Sequence, residues 1–161
     1  MADQIISQEY LRETFDYKDG KIYWKKAKSK IQIGKETGSL TMYGYLGTKL
    51  NGKFYKTHRL IFMWHHGFLP KQIDHINGIR NDNRIENLRP ATNSQNRQNA
   101  KIGKNNTSGI KGVYKHKNKW RVRLMIDGAS KSFGLYNNID YAKFVANAMR
   151  YKYHKNFART I

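Results

Sequence analysis

The sequence predicts an α+β protein made of a small β-rich N-terminal part, a ββα unit, and a three-stranded antiparallel sheet packed on one helix. Three observations carry this prediction. Asp19-Gly20 and Asn51-Gly52 are hairpin-turn pairs that separate short alternating segments. The segment 73–99 holds two short apolar runs and then a helix start. The segment 110–136 alternates apolar and basic residues and is followed by an alanine-rich helical pattern.

The amino-acid composition limits the classes of partner that the protein can bind. The chain has 161 residues, and its 31 Lys and Arg against 11 Asp and Glu give a net charge of +20 at pH 7. Such an excess favours a polyanionic partner, above all nucleic acid, although a membrane surface or RNA would also satisfy it. The absence of cysteine excludes disulfides and thiolate metal sites. No apolar run approaches the roughly 18 residues of a membrane-spanning helix, and the N-terminus has no signal-peptide layout, so we expect a cytoplasmic protein with no membrane partner.

The first part, residues 1–57, is predicted to begin with a helix from about Gln8 to Phe15, capped by Ser7. Strands flanking the two turn pairs follow. A second helix is predicted in the segment 58–67, where apolar residues recur at helical spacing and Gly67 is a stop signal.

The asparagine-rich stretch is predicted to be the ββα unit, within a domain at 58–100. Ile73-Asp74-His75 ends one short strand, Asn77-Gly78 is a turn, and Asn87 to Pro90 forms a second strand. Thr92 and Gln95 have capping-box spacing, which opens a helix carrying Asn96.

The residue types in this unit fit a hydrolytic site. Asp74 and Asn96 can supply two oxygen ligands to a divalent ion that otherwise binds water and phosphate. His75, if neutral, could take the proton from an attacking water. The amide oxygen of Asn87 could accept a hydrogen bond from the other ring nitrogen and fix the tautomer.

Residues 40–100 resemble the HNH nuclease family, in its phage and intron-associated branch. The residues in register are Asp74-His75, Asn83, Asn87-Leu88-Arg89, Thr92 and Asn96. The resemblance implies metal-dependent cleavage of phosphodiester bonds in duplex DNA, with Mg²⁺ as the ion and Mn²⁺ as an alternative, and with no small-molecule cofactor. It implies that His75 is the general base, that Asn87 orients it or braces the loop, and that Asp74 and Asn96 bind the metal. His58 matches a recurrent position that would contact phosphate or the metal region.

The C-terminal domain, residues 110–161, follows a linker at 101–109 that is rich in Gly, Asn and Ser. We expect strands near 110–115, 119–126 and 130–136, then a helix at 139–153. Alternation in the middle strand places Trp120, Val122, Leu124 and Ile126 on a packed face and Arg121, Arg123 and Met125 on the other face.

This domain resembles the APETALA2/ethylene-response-factor DNA-binding domain over about residues 108–157, through Gly112-Val113, Lys119-Trp120 and Phe133-Gly134. The resemblance implies that the sheet lies in the major groove. Carried over by position, the residues that would face DNA are Lys111, Tyr114, His116, Lys119, Arg121 and Arg123, with Trp120 flanking or supporting them.

Together these features predict a homing-like, phage- or mobile-element-encoded DNA endonuclease that acts in a bacterial host. One site per chain makes a nick by a monomer on DNA the expected product. Two alternatives stay open at this point: a catalytically silent, sequence-specific DNA-binding regulator that keeps the nuclease scaffold, and a basic RNA-binding protein.

Overall fold

A computed structural model gives the fold and describes residues 6–27 and 30–159, without the side chain of Ile31. Residues 1–5 and 28–29 of the predicted N-terminal part and residues 160–161 lie outside the described residues. The chain divides into two compact units, Met1–Ala91 and Thr92–Ile161. This division falls ahead of the predicted linker and inside the predicted 58–100 domain. In the part of the chain that the structure describes, no helix is long and apolar enough to cross a membrane.

The first unit combines helices with small antiparallel sheets. Its helices are α1 (Gln8–Thr14) and α2 (Thr57–His66). One sheet has the order β1 (Phe15–Lys18), β2 (Lys21–Trp24), β3 (Glu36–Thr37), and a second has the order β4 (Ser39–Leu40), β5 (Leu46–Leu50), β6 (Lys53–Lys56). A two-stranded sheet pairs β7 (Gln72–His75) with β8 (Leu88–Ala91).

The predicted local signals form these elements. The Ser7 hydroxyl accepts a hydrogen bond from the Tyr10 amide at 3.1 Å and caps α1. Gly67, at φ 74°, ends α2 in the left-handed conformation that glycine adopts without a steric penalty. The Asp19-Gly20 pair joins β1 to β2, and both residues have positive φ, as a type I′ hairpin turn requires.

A single apolar cluster forms the core of the first unit. Its buried members come from α1, α2 and five of the strands: Leu11, Phe15, Ile22, Leu50, Leu60, Ile61, Phe62, Ile73 and Leu88. Because Ile73 and Leu88 belong to this cluster, the β7–β8 hairpin is anchored to the core beside the residues of the predicted site.

The second unit contains α3 (Asn93–Asn99), β9 (Val113–His116), β10 (Lys119–Ile126), β11 (Ala129–Tyr136) and α4 (Ile139–His154). The predicted capping box is present at the start of α3, with Thr92 and Gln95 bonded reciprocally. The three strands form an antiparallel sheet in the order β11-β10-β9, as predicted. Val113 and Val122 of the sheet pack against Ala142 and Ala146 of α4.

Strand β10 has the two faces that alternation predicts. Val122, Leu124 and Ile126 are buried, while Arg123 and Met125 are exposed and Arg121 is half-buried. The pairing with β11 shifts register between Arg121 and Arg123, so β11 carries an irregularity there. The sheet therefore keeps one basic, solvent-facing surface.

Candidate active site

His75 ends strand β7, opposite Leu88 of β8, and its side chain is buried. Its Nε2 lies 3.0 Å from Oδ1 of Asn83, which is itself 1% exposed. Burial is the main cause that lowers the pKa of His75, and the Asn83 hydrogen bond opposes it. The imidazole is therefore neutral near pH 7 and is held by a buried amide.

We expected the amide oxygen of Asn87 to accept a hydrogen bond from His75, and in the structure this oxygen accepts one from the backbone of the loop. Asn87 Oδ1 accepts the backbone N–H of Asn77 at 2.9 Å, and Asn87 Nδ2 donates to the carbonyl of Asp82 at 2.7 Å. Both bonds stay inside the loop between β7 and β8. The other reading of Asn87, as a brace of this loop, matches its contacts.

Asp82 completes the bracing of the same loop. Its carboxylate accepts from Asn77 Nδ2 at 2.6 Å and from Arg84 Nε and Nη2 at 2.9 and 2.8 Å. The Arg84 guanidinium is the main cause that lowers the pKa of Asp82 to about 2. These bonds close the loop around Asn83 and give Asn77 and Asn87 a structural role.

Sequence reasoning missed the contact of Asn83 with His75. Asn83 is in register with the nuclease family, but the sequence alone gives it no contact with His75. That register was the available signal. Tertiary contacts place the residue: the Tyr17 hydroxyl accepts the backbone N–H of Ile85 at 3.1 Å. Gly20 packs closely against the same loop, because a Cβ at this position would lie 2.6 Å from the backbone nitrogen of Arg84.

His58 of α2 lies against His75, with ring centroids 4.9 Å apart in an edge-on arrangement. The ring of Tyr45 contacts both, at 5.4 Å from His58 and 6.0 Å from His75. Burial, helped by the charges around it, lowers the pKa of His58 to about 3, and its Nδ1 is buried without a hydrogen-bond partner among the described residues. The structure thus brings together two of the three predicted catalytic residues as neutral imidazoles.

Asp74 precedes His75 on β7, so its side chain leaves the opposite face of the strand. It is buried and pairs with Arg89, directly across on β8. Arg89 Nε and Nη2 donate to Asp74 Oδ2 at 2.8 and 2.7 Å. This charge-assisted pair fixes the carboxylate and links the two strands. Asn96, the other predicted metal ligand, lies on α3 in the second unit.

The exposed face of the C-terminal sheet carries most of the predicted DNA-contacting residues. Tyr114 lies opposite Arg121, and His116 opposite Lys119. His116 Nε2 is 3.0 Å from Arg121 Nη2, and the Arg123 guanidinium lies 5.5 Å from the centroid of the Tyr114 ring. A shallow depression on this face is lined by Arg121, Arg123, Ser130, Ser132, Gly134 and Leu135.

Two residues of the predicted set do not stand on that face. Lys111 lies in the turn before β9, and its Nζ donates to the carbonyls of Gln98 at 2.6 Å and of Ala100. Carbonyls at a helix end lack intrahelical donors, so Lys111 caps α3. Burial, with Arg150 and Arg159 nearby, lowers the Lys111 pKa to about 8. Trp120 lies on the packed face of β10 and borders the core beneath α4.

An antiparallel strand pair with a buried histidine at its end, as in β7–β8, is what we expected of a nuclease. The HNH endonuclease family matches residues 55–98, so the chain carries an HNH endonuclease domain. The chain belongs to the same family as protein 3.8 of Escherichia phage T7, to which it is 33% identical over 114 residues. That alignment covers 66% of this chain and 93% of the phage protein. No solved structure matches the chain closely enough to count as a relative.

Proposed function

We propose that the chain is a metal-dependent endonuclease that hydrolyses phosphodiester bonds in duplex DNA, with His75 as general base. The HNH domain at 55–98 indicates nuclease activity and DNA as the partner. The observation that carries the proposal is the contact between His75 Nε2 and Asn83 Oδ1 at 3.0 Å. A buried, neutral and oriented imidazole is the arrangement that a general base needs at neutral pH.

The tautomer follows from the chemistry of the amide. An amide oxygen only accepts hydrogen bonds, so this contact favours the tautomer in which the His75 proton resides on Nε2. Nδ1 then carries the lone pair that takes the proton from the attacking water. Asn83 positions the ring, and Asn87 acts one step further away by bracing the loop that holds Asn83. His58 keeps the inner side of the His75 ring packed and uncharged.

Asp74 and Asn96 are the proposed metal ligands. Among residues 6–27 and 30–159, no group of three or more His, Cys, Asp or Glu side chains is placed to hold a metal ion. A donor set of one carboxylate and one amide fits a hard ion that keeps several waters and binds substrate phosphate, as Mg²⁺ does, with Mn²⁺ as an alternative. A bound divalent ion would stabilise the charge on the scissile phosphate and on the leaving oxygen. Arg89 holds the Asp74 carboxylate ready for that role.

The C-terminal sheet is proposed to hold the duplex through its basic face, in the manner of an APETALA2-like domain. The solvent-facing Tyr114, Lys119 and Arg123, with the half-buried Arg121, support this, because a β-sheet can enter the roughly 12 Å wide major groove. Arg123→Gln should weaken duplex binding in a fluorescence anisotropy titration more than Lys143→Gln does. Lys143 is exposed on α4 and carries the same charge, so it is the matched control. Equal losses would remove the sheet from the proposal.

The biological setting is also a proposal. A relative in Escherichia phage T7 supports a phage-encoded enzyme that works in the cytoplasm of the infected bacterium. One proposed active site per chain supports a nick by a monomer, and a homing-type role would require a preferred target in DNA that lacks the gene. Cleavage of such an allele, and sparing of the allele that carries the gene, would test the homing role.

Conversion of supercoiled plasmid to nicked DNA tests the chemistry directly. The wild-type chain should convert it with Mg²⁺ and not with EDTA, and His75→Ala should reduce the rate roughly 10²- to 10⁴-fold, the contribution of a positioned base. His66→Ala, at an exposed histidine of α2, is the matched control and should cleave at the wild-type rate. Conversion by His75→Ala at the wild-type rate would refute the assignment of the base. If no protein converts the plasmid while all still bind duplex DNA, the chain is a DNA-binding regulator.

A further inference from the structure

Two cations share one aromatic ring beside the proposed catalytic histidine. Lys56 Nζ lies 4.6 Å from the centroid of the Tyr45 ring, and the Arg80 guanidinium carbon lies 5.2 Å from it. Both side chains are exposed, whereas Tyr45 is half-buried. The same ring lies 6.0 Å from the His75 ring, so the positive charges are held at the edge of the candidate active site.

The ring is fixed by a tight turn between β4 and β5. The Thr41 amide donates to the Tyr45 carbonyl at 2.8 Å, and the Thr41 hydroxyl accepts the Tyr45 N–H at 3.2 Å. Arg80 is fixed to the same turn, because its Nη1 donates to the Tyr43 carbonyl at 2.9 Å. The guanidinium is therefore oriented before any ligand arrives.

Neither cation has a carboxylate partner in the described part of the chain, although neighbouring arginines do. Arg84 pairs with Asp82 at 2.8 Å, and Arg89 pairs with Asp74 at 2.7 Å. Within the described residues, Arg80 donates a hydrogen bond through Nη1, so the other N–H groups of its guanidinium remain for a ligand. Two like charges on one ring repel each other unless an anion lies between or beside them. A phosphate accepts hydrogen bonds from Arg in the forked geometry that carboxylates also use.

We propose that Arg80 and Lys56, ordered by Tyr45, form a binding site for a DNA backbone phosphate adjoining the scissile bond. The inference rests on the proposed nuclease function. It adds which group of the DNA substrate binds at the edge of the candidate active site. Because the bound phosphate does not react, Arg80 and Lys56 are positioning residues: they place the neighbouring phosphodiester against His75. Tyr45 acts through them by holding both cations in place.

Binding to a short duplex, measured by fluorescence anisotropy in a His75→Ala background, tests the site without cleavage. Arg80→Gln and Lys56→Gln should each lower affinity about tenfold at moderate salt, the order of one charge-assisted contact. Each should also reduce the slope of log affinity against log salt by about 0.9, the value for one lost phosphate contact. Lys71→Gln is the matched control, since Lys71 is exposed at the far end of β7 from His75. If the two variants match the control in affinity and slope, the phosphate site is wrong.

The role of the ring is tested separately. Tyr45→Phe keeps the aromatic face and should bind like the parent, while Tyr45→Leu should lose affinity about as much as one cation variant. Equal binding by the Phe and Leu variants would overturn the part assigned to Tyr45.

Cleavage kinetics distinguish positioning from a structural effect. In the chain with His75 intact, Arg80→Gln should raise KM about tenfold and leave kcat near the wild-type value, because a non-reacting phosphate is bound equally in ground and transition states. A lower kcat with unchanged KM would mean that Arg80 supports His75 instead, and would refute the proposal. If the wild-type chain does not cleave at all, the nuclease assignment fails, and the affinity and salt slope still decide whether the phosphate site exists.

Discussion

Acid should destabilise the first unit through one buried imidazole, that of His58. The side chain is 5% exposed, and burial lowers its pKa from 6.5 to about 3. Below pH 6.5 the unfolded chain binds a proton at this histidine that the folded chain rejects. Stability from this group is therefore complete above the unfolded pKa and falls as the pH drops from 6.5 toward 3.

The magnitude follows from the difference in proton uptake. Each pH unit below the unfolded pKa costs about 1.36 kcal/mol while the folded imidazole stays neutral. Going from about pH 7.5 to about pH 5 crosses about 1.5 such units, so the loss is about 2 kcal/mol. The loss of stability at about pH 5 is nearly independent of the pKa of His58 in the folded chain, because that pKa lies well below 5.

His58→Phe supplies the comparison, since phenylalanine keeps a planar ring against Tyr45 and His75 but cannot be protonated. Urea unfolding of both proteins at the two pH values, followed by tryptophan fluorescence, to which Trp24 and Trp64 of the first unit contribute, gives the free energies of unfolding. The wild-type chain should lose about 2 kcal/mol more than the variant on acidification. Contributions from the other buried histidines are common to both proteins and cancel. Equal losses in the two proteins would refute the reasoning.

Three further outcomes are expected. Asn83→Ala should slow single-turnover cleavage roughly 10- to 100-fold at unchanged duplex affinity, because His75 loses the amide that orients it; a rate within about twofold of wild type would contradict this. Arg89→Leu should lower the free energy of unfolding by about 3–5 kcal/mol, since the buried Asp74 carboxylate loses its guanidinium, and Asp74→Asn in the same chain should restore part of it; an unchanged urea midpoint in the single variant would exclude a structural role for the pair. Duplex affinity should fall roughly 10³- to 10⁵-fold between about 50 and 200 mM salt if six to ten phosphates are neutralised, and a flat salt dependence would count against backbone contacts.

Elements specified by neighbouring residues could be predicted from the sequence. The Ser7 cap, the turn pairs and the Thr92–Gln95 capping box each depend on residues within three positions of one another. The alternation along β10 likewise predicted which of its side chains are buried, because the pleat fixes the two faces. The predicted domain boundaries remain a prediction.

Contacts that depend on loop closure could not be predicted in the same way. Asn83 and Asn87 are both amides in one loop, and spacing alone does not say which of them reaches His75. The choice is made by the β1–β2 hairpin, whose Gly20 lies against the backbone of the loop. Lys111 was predicted to face DNA. In the structure its ammonium group donates instead to the carbonyls at the end of α3. The presence of a basic residue in a sequence therefore does not show which acceptor its side chain binds.

The partners of the arginines divide them into two groups with different consequences. Arg84 and Arg89 contact carboxylates inside the first unit, so their charges stabilise the β7–β8 region and are already neutralised. Arg80, Arg121 and Arg123 have no carboxylate within the described residues, and each is held instead by an aromatic ring, a carbonyl or an imidazole. Such contacts orient a guanidinium without cancelling its charge. Replacing a member of the first group should therefore change the free energy of unfolding, and replacing a member of the second should change the affinity for DNA and its dependence on salt.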